Sequence, residues 1–156
     1  MKQILILDIE GTLLTTGAGT IHPRPGLKAF LEFVVENFDE IGFYTLLNHQ
    51  AAKAILTHLS KNDLVPTQLL EPFNYIKGTG FNKDLTYVPG ATLDQITLID
   101  DSPSMIVKGQ EDRWIQIRSF VPPSRTSAFG QVAAEAEDTE LQRVTEVIHS
   151  RIPFGH

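Results

Sequence analysis

The chain has 156 residues, of which 42% are apolar, and a formal net charge of −6 at pH 7. This length and composition suit one domain with a buried core, and the acidic balance argues against non-specific binding to nucleic acid or anionic membrane. The chain has no cysteine, which excludes disulfides, thiolate chemistry and cysteine-based zinc or iron–sulfur sites.

A short apolar run near the N-terminus ends in an acidic residue. Residues 4–7 are Ile-Leu-Ile-Leu, a pattern typical of a strand buried on both faces of a parallel sheet, and Asp8 follows directly. Glu10 comes two positions later, beside Gly11, which allows a sharp turn. Asp8 is therefore predicted at the carboxyl end of a strand, where open α/β sheets bind their ligands.

The stretch after this run is rich in threonine and glycine, and we predict a loop for residues 14–22. Gly17-Ala18-Gly19 could open a dinucleotide-binding fingerprint, but His22 occupies the position that requires a third glycine or an alanine, so cofactor binding is disfavoured. The prolines at positions 23 and 25 predict the first turn of a helix with apolar residues at helical spacing.

A second buried strand is predicted at residues 41–45, and it ends in Thr45. Asn48 can cap the helix that follows, so Thr45 lies between a strand end and a helix N-terminus, where backbone N–H groups attract phosphate. In isolation, a threonine chosen for its β-propensity is the simpler explanation. Residues 69–76 predict one further short strand, and Lys83 follows in a polar stretch where a lone lysine is usually solvated.

The third clear strand is predicted at residues 96–99, and it brings Asp100 and Asp101 to its carboxyl end. Adjacent carboxylates repel each other unless a cation offsets them, so we expect a metal ion or a lysine partner. Ser102-Pro103 predicts the start of a helix. A last strand is predicted at residues 114–117, then a loop over 121–130 and a final helix over about 132–152.

The polar residues at these strand ends are expected to converge, because parallel strands bring their carboxyl ends to one edge of the sheet. With Lys83 they provide carboxylates, a hydroxyl and an ammonium, and phosphoryl transfer needs little beyond positioning and charge stabilisation. Receiver domains of two-component signalling use similar groups. Their acidic pair precedes the other residues, whereas Asp100-Asp101 follows Lys83 here, so that class is disfavoured.

The segment Asp8-Ile9-Glu10-Gly11-Thr12 resembles the first motif of the haloacid dehalogenase superfamily of phosphohydrolases, with Glu10 in place of the usual aspartate. Lys83-Asp84-Leu85, the Ile-Asp-Asp-Ser-Pro of residues 99–103 and Asp138-Thr139-Glu140-Leu141 are similar to the small carboxy-terminal-domain phosphatases, also called NLI-interacting-factor-like. The resemblance implies an α/β fold: a single Rossmann-like three-layer domain over residues 1–156, with a central parallel sheet and no or minimal cap.

The resemblance also implies catalytic roles. Asp8 would attack phosphorus and form an aspartyl-phosphate, and Glu10 would protonate the leaving alkoxide and then activate water. Thr45 would bind the phosphoryl oxygens, and Lys83 would neutralise the developing charge. Dehalogenation is disfavoured, because that chemistry has no use for an acid at position 10.

A magnesium ion is the cofactor that the resemblance implies, and hard oxygen ligands beside a phosphate suit it. Its ligands would be the Asp8 carboxylate, the Glu10 backbone carbonyl and Asp101. Asp100 would either join them or orient Lys83, and the sequence leaves this choice open.

The substrate is expected to be phosphoserine or phosphothreonine of a protein, because neither gap between the motifs has room for a separate lid and an open site suits a macromolecule. A small phosphomonoester or a nucleic-acid 3′-phosphate is the alternative, with nucleic acid disfavoured by the charge. A catalytically weak module that binds a phosphorylated partner is a third possibility, because Glu10 replaces aspartate. We find no signal peptide or membrane-spanning run, so a soluble cytoplasmic protein is expected.

Overall fold

A computed structural model of the chain describes residues 1–121 and 138–154. The regular elements are, in chain order, β1 (Ile4–Leu7), β2 (Leu14–Gly17), β3 (Thr20–Pro23), α1 (Leu27–Asn37), β4 (Glu40–Phe43), α2 (His49–Lys61), β5 (Ile96–Asp100), β6 (Trp114–Gln116) and α3 (Glu140–Arg151). Within these two ranges, no helix is both long enough and apolar enough to cross a membrane.

The central sheet has the strand order β4-β1-β5-β6, and all of its pairs are parallel. Leu7 at the end of β1 pairs with Phe43 on one side and with Ile99 on the other. The three strands therefore end at the same level, with Asp8 just beyond the central one. The predicted α/β class with a central parallel sheet is confirmed.

Two apolar clusters sandwich the sheet, because successive side chains of a strand point to opposite faces. Leu5 and Leu7 belong to one cluster, together with the buried residues of α1, α2 and α3. Ile4 and Ile6 belong to the other, which is completed by buried residues of the irregular segment 76–91. The protein therefore has three layers, which are the helices, the sheet and a largely irregular segment. Each fully buried aliphatic side chain stabilises the folded state by about 1.5–3 kcal/mol.

The loop predicted for residues 14–22 is an antiparallel hairpin of β2 and β3, so that prediction is wrong. Ala18 and Gly19 form its turn with φ of 53° and 76°, the left-handed conformation that tight hairpins need. Pro23 is the last residue of β3, and α1 begins only at Leu27, after Gly26 with φ 85°. The strands are short and threonine-rich, without the alternation of apolar and polar residues that would have indicated them.

The strand predicted within residues 69–76 is reduced to an isolated bridge between Phe43 and Tyr75. The helix predicted after Ser102 is a single turn, Pro103–Met105, because the Met105 carbonyl accepts a hydrogen bond from the Lys83 N–H at 2.7 Å. That bond pairs the segment before Ile106 with the lysine and ends the helical turn.

The final helix begins at Glu140, whereas the sequence predicted a start near residue 132. Asp138 and Thr139 are not helical, and the Asp138 carboxylate accepts a hydrogen bond from the Glu140 N–H at 3.1 Å. Residues 132–137, and all but the first residue of the loop predicted over 121–130, lie outside the described residues.

Candidate active site

A buried ammonium group joins two of the predicted strand ends. Asp8 follows β1 and is 5% exposed, Asp100 ends β5 and is fully buried, and Lys83 is 3% exposed. The Lys83 Nζ donates to Asp8 Oδ1 at 2.8 Å and also to Asp100 Oδ2. The structure therefore brings Lys83 between the two carboxylates, where it offsets part of their charge.

The two carboxyl groups outnumber the ammonium group that contacts them. Burial raises the pKa of Asp8 to about 7, with the Asp100 charge adding to the rise and Lys83 opposing it. Burial also raises the pKa of Asp100, again against the influence of Lys83. A second cation beside these buried carboxyl groups would favour their ionised form. Carboxyl groups with strongly shifted pKa values are typical of functional sites.

Three carboxylates are close enough to share one ion. Asp8, Asp100 and Asp101 each offer an oxygen, and these oxygens all lie within 4.8 Å of one another. The donor set consists of hard oxygen ligands, which suit magnesium or calcium better than a soft transition metal. The three carboxylates that the sequence singled out as metal ligands therefore fit a divalent ion.

Two hydroxyl groups orient these carboxylates. The Thr12 Oγ1 donates to Asp8 Oδ2 at 2.8 Å and lies 3.5 Å from Asp101 Oδ1. The Ser119 Oγ donates to Asp101 Oδ2 at 2.6 Å. Thr12 belongs to the first motif, although the sequence had assigned it no role at the site. Ser119 carries no pattern that could have indicated its contact.

Position 11 requires glycine because of both its backbone conformation and the atoms that surround it. Its φ is 82°, and a Cβ atom placed on it would lie 2.5 Å from Asp101 Oδ2. We expect Gly11→Ala to lower the free energy of unfolding by about 1–3 kcal/mol and, by displacing Asp101, to weaken the binding of a divalent ion by the three carboxylates. Gly19→Ala is the matched control, because Gly19 has φ 76° with no heavy atom within 4 Å of the added Cβ. Thermal unfolding with and without magnesium measures both effects, and equal magnesium responses in the two variants would contradict the displacement of Asp101.

The Glu10 carboxylate is hydrogen-bonded to β2. Its Oε1 accepts hydrogen bonds from the Thr16 N–H at 3.0 Å and from the Thr15 hydroxyl at 3.1 Å, so it rests on β2. Glu10 nevertheless lines the same cavity as Asp8. The hairpin that the sequence did not predict therefore holds the predicted proton donor.

Thr45 lies in a tightly bonded turn between β4 and α2. Its Oγ1 accepts a hydrogen bond from the Leu47 N–H at 3.1 Å, and the Leu47 carbonyl accepts one from the Tyr75 hydroxyl at 2.6 Å. Asn48 caps α2 as predicted, accepting from the Ala51 N–H at 2.8 Å.

A cavity of about 280 Å³ is lined by every predicted site residue and by four more: Asp8, Glu10, Thr45, Leu46, Leu47, Lys83, Asp100, Asp101, Ser102 and Met105.

Arg24 links the first motif to the C-terminal part of the chain through hydrogen bonds. The sequence had not indicated a role for this residue. Its side chain has no exposed surface and donates to the Gly11 and Thr12 carbonyls, each at 3.2 Å. It also forms two hydrogen bonds of 3.0 Å with the Asp138 carboxylate. Its guanidinium carbon lies 5.4 Å from the centre of the Phe120 ring. Asp138 was indicated only by the family resemblance, without a role.

The family model described as NLI interacting factor-like phosphatase matches residues 3–152. No curated protein sequence matches the chain. Among solved structures, a variant of the fission yeast RNA polymerase II CTD phosphatase Fcp1 bound to beryllium fluoride is 14% identical, with a TM-score of 0.66 over 96% of this chain and 62% of that one. A structure of Fcp1 described as an essential RNA polymerase II CTD phosphatase is 16% identical, with a TM-score of 0.59 over 98% of this chain and 51% of that one. The TM-scores show a shared fold, and the chain spans less than two thirds of either structure.

Proposed function

This chain belongs to the family of NLI interacting factor-like phosphatases, which makes it a phosphatase of the haloacid dehalogenase type, and from that premise we propose a magnesium-dependent hydrolysis of phosphomonoesters through an aspartyl-phosphate on Asp8. The observation that carries the proposal is the cluster of Asp8, Lys83, Asp100 and Asp101 at the carboxyl edge of the sheet. It combines a nucleophile with the positive charge that an attacked phosphoryl group needs.

In the first step, an oxygen of the Asp8 carboxylate attacks phosphorus and the bond from phosphorus to the leaving oxygen breaks. Lys83 and the Thr45 hydroxyl bind the phosphoryl oxygens and orient them for this displacement. Glu10 gives its proton to the leaving oxygen, and the substrate departs as an alcohol. In the second step Glu10 takes a proton from water, whose oxygen attacks the phosphorus of the aspartyl-phosphate and releases inorganic phosphate and free Asp8.

Asp8, Asp100 and Asp101 would hold the magnesium ion, with the Glu10 carbonyl as a further ligand. Bound there, the ion supplies positive charge that favours the ionised form of Asp8 and offsets the charge of the phosphoryl group. The Thr12 and Ser119 hydroxyls orient two of these three carboxylates, those of Asp8 and Asp101. We propose that Asp100 serves both roles that the sequence left open, because its two oxygens have different neighbours. Asp100 Oδ2 contacts Lys83, and Oδ1 accepts from the Ser102 N–H at 2.8 Å.

We propose that Glu10 turns from β2 into the cavity when substrate is bound. Glu10→Gln keeps the length of the side chain but cannot transfer a proton, so we expect kcat to fall on the order of 10²-fold. Glu10→Asp is expected to keep most of the turnover, because it retains the carboxylate. Steady-state kinetics with p-nitrophenyl phosphate measures both variants, and equal rates for wild type, Glu10→Asp and Glu10→Gln would contradict proton transfer by Glu10.

The substrate we propose is phosphoserine or phosphothreonine within a protein. Two solved structures that share this fold are described as RNA polymerase II CTD phosphatases. Between the first motif and α1 the chain forms only the short hairpin β2–β3, which is too small for a separate lid domain. A site of this kind admits a phosphate carried on a polypeptide, and we propose that residues 1–156 act as one domain without a cap.

Hydrolysis of p-nitrophenyl phosphate with and without magnesium tests the reaction. We expect phosphate release with magnesium and loss of at least nine tenths of the rate after removal of the metal with a chelator, restored by added magnesium. No hydrolysis above the uncatalysed rate would reject the enzyme and leave a phosphate-binding module. A panel of phosphopeptides, small phosphomonoesters and a 3′-phosphorylated oligonucleotide then separates the substrate classes.

A further inference from the structure

The helix α2 carries positive charge, whereas the whole chain has a formal net charge of −6. Its 13 residues include Lys53 and Lys61 but no aspartate or glutamate. By contrast, α1 has two acidic residues and one lysine, and α3 has two acidic residues and two arginines. An acidic ligand is therefore attracted to α2, while the net charge of the chain repels it.

Seven residues of α2 line one shallow groove, which we name the α2 groove: His49, Gln50, Lys53, Ala54, Thr57, His58 and Lys61. Within residues 1–121 and 138–154, neither lysine is paired with a carboxylate. The nearest acidic residue in the sequence is Asp63, and its carboxylate accepts a hydrogen bond from the Lys28 Nζ at 2.6 Å. The two ammonium groups of the groove can therefore pair with an anion from outside the chain.

The α2 groove begins beside the candidate active site. His49 lies four positions after Thr45 and packs edge-on against the Tyr75 ring, with 5.1 Å between the ring centres. The Tyr75 hydroxyl donates to the carbonyl of Leu47, which lines the cavity of the site. Along the helix axis, the two lysines lie about 6 Å and about 18 Å from His49. The groove therefore leads away from the mouth of the cavity.

The charges inside the cavity act on the phosphate and not on the rest of a substrate. Four acidic residues and Lys83 line the cavity, and the proposed magnesium ion would lie among them, next to the phosphoryl group. Substrate residues several positions from the phosphate lie outside the cavity, where the α2 groove offers two unpaired ammonium groups. Acidic side chains placed there would form ion pairs of the weak, salt-dependent kind found at protein surfaces.

We propose that the α2 groove binds an acidic segment of the phosphoprotein substrate, about four to six residues from the phosphorylated serine or threonine. The inference rests on the proposed function and adds a second point of contact outside the cavity. An extended peptide advances about 3.3–3.6 Å per residue, so six residues reach past Lys53 toward Lys61. The lysines pair with the acidic side chains, and Gln50 and Thr57 can donate hydrogen bonds to them.

Phosphoserine peptides of equal length test this preference. Two of them carry three glutamates at the fourth to sixth positions from phosphoserine, one on its N-terminal side and one on its C-terminal side, and the reference peptide carries glutamines at both places. At constant free magnesium, we expect at least one acidic peptide to have a KM about fivefold below that of the reference, with kcat unchanged. The difference is expected to fall below about twofold at about 0.5 M salt.

The double variant Lys53→Gln/Lys61→Gln is expected to lose the preference for the acidic peptide. Lys61 is exposed and Lys53 is half-buried, and neither is paired within the described residues, so the variant is expected to fold. Lys2→Gln/Arg151→Gln is the matched control, because it changes the net charge equally at the opposite edge of the sheet. There Lys2 precedes β1, and Arg151 donates to the carbonyl of Trp114, the first residue of β6. Equal loss of preference in the two double variants would assign the effect to overall charge and overturn the inference.

Direct binding separates this inference from the proposed reaction. With Asp8→Asn, which cannot form the aspartyl-phosphate, fluorescence polarisation is expected to give a Kd for the acidic peptide about fivefold below that of the reference. Equal affinities, or displacement of the acidic peptide by a single-stranded oligonucleotide at lower concentration than by the unlabelled peptide, would overturn the inference. If p-nitrophenyl phosphate is hydrolysed while the preference is missing, only the groove proposal falls. If the preference is found without hydrolysis, the proposed reaction falls and the groove remains a binding site for the acidic segment.

Discussion

Replacing Asp8 with asparagine is expected to abolish hydrolysis of p-nitrophenyl phosphate, with a fall in kcat of at least about 10⁴-fold, as for loss of other catalytic nucleophiles. The amide keeps the size of the carboxylate but cannot form the aspartyl-phosphate. Initial rates with magnesium measure the loss. In the wild type, acid quenching during turnover followed by mass spectrometry is expected to find phosphate on Asp8, and none in the variant.

Asp8→Asn is expected to keep its fold, so that a loss of activity can be assigned to the missing nucleophile. Burial raises the pKa of Asp8 to about 7, so a neutral side chain at this position costs the metal-free protein little. Its circular dichroism spectrum and thermal unfolding should therefore stay close to those of the wild type. A variant that folds and still hydrolyses the substrate at the wild-type rate would show that Asp8 is not the nucleophile.

The central strands could be predicted from the sequence because their apolar runs are continuous. Residues 4–7 are all buried, and 96–99 are buried except for the half-buried Thr97; a sheet covered on both sides accommodates such runs. The parallel arrangement then follows from the helices between strands, and it predicts that Asp8 and Asp100 lie at the same edge of the sheet. Lys83 could not be placed this way, because it lies in an irregular segment, and only the family resemblance connected it with the site.

The interactions that orient the site could not be predicted because they join distant parts of the chain. Arg24 and Asp138 are 114 positions apart, and Ser119 bonds to Asp101 from a segment without regular structure. An arginine in a polar stretch is typical of the surface, and nothing local indicates that this one is fully buried. The position of Glu10 depends in the same way on a hairpin whose strands have four residues each.

Local helix signals failed where tertiary hydrogen bonds compete with them. Ser102-Pro103 is a good helix start, yet the chain makes one turn and then pairs with Lys83. This competition matters for function, because the same pairing directs the Lys83 side chain toward Asp8 and Asp100. The failed helix prediction and the placement of the ammonium group therefore have one cause.

Lys83→Met is expected to reduce kcat/KM about 10³-fold and to lower the free energy of unfolding of the metal-free protein by about 3–5 kcal/mol at pH 8. Methionine fills a similar volume but leaves Asp8 and Asp100 buried without a counter-charge. Lys28→Met is the matched control, because Lys28 also bonds to a carboxylate, that of Asp63, but at the surface. It is expected to change neither stability nor activity measurably.

The pH dependence of this loss follows from the sign of the pKa shifts. Lys83 lowers the pKa of both Asp8 and Asp100, which burial raises, so its removal moves both pKa values further up. A carboxyl group whose pKa is raised by folding stabilises the fold at low pH and loses that contribution as the pH rises through the folded-state value. The deficit of Lys83→Met is therefore expected to be small at pH 5 and to grow toward pH 8, as measured by urea unfolding. Added magnesium should make this deficit in the free energy of unfolding smaller, because the ion replaces the missing positive charge. A deficit independent of both pH and magnesium would show that Lys83 supports the fold only through packing.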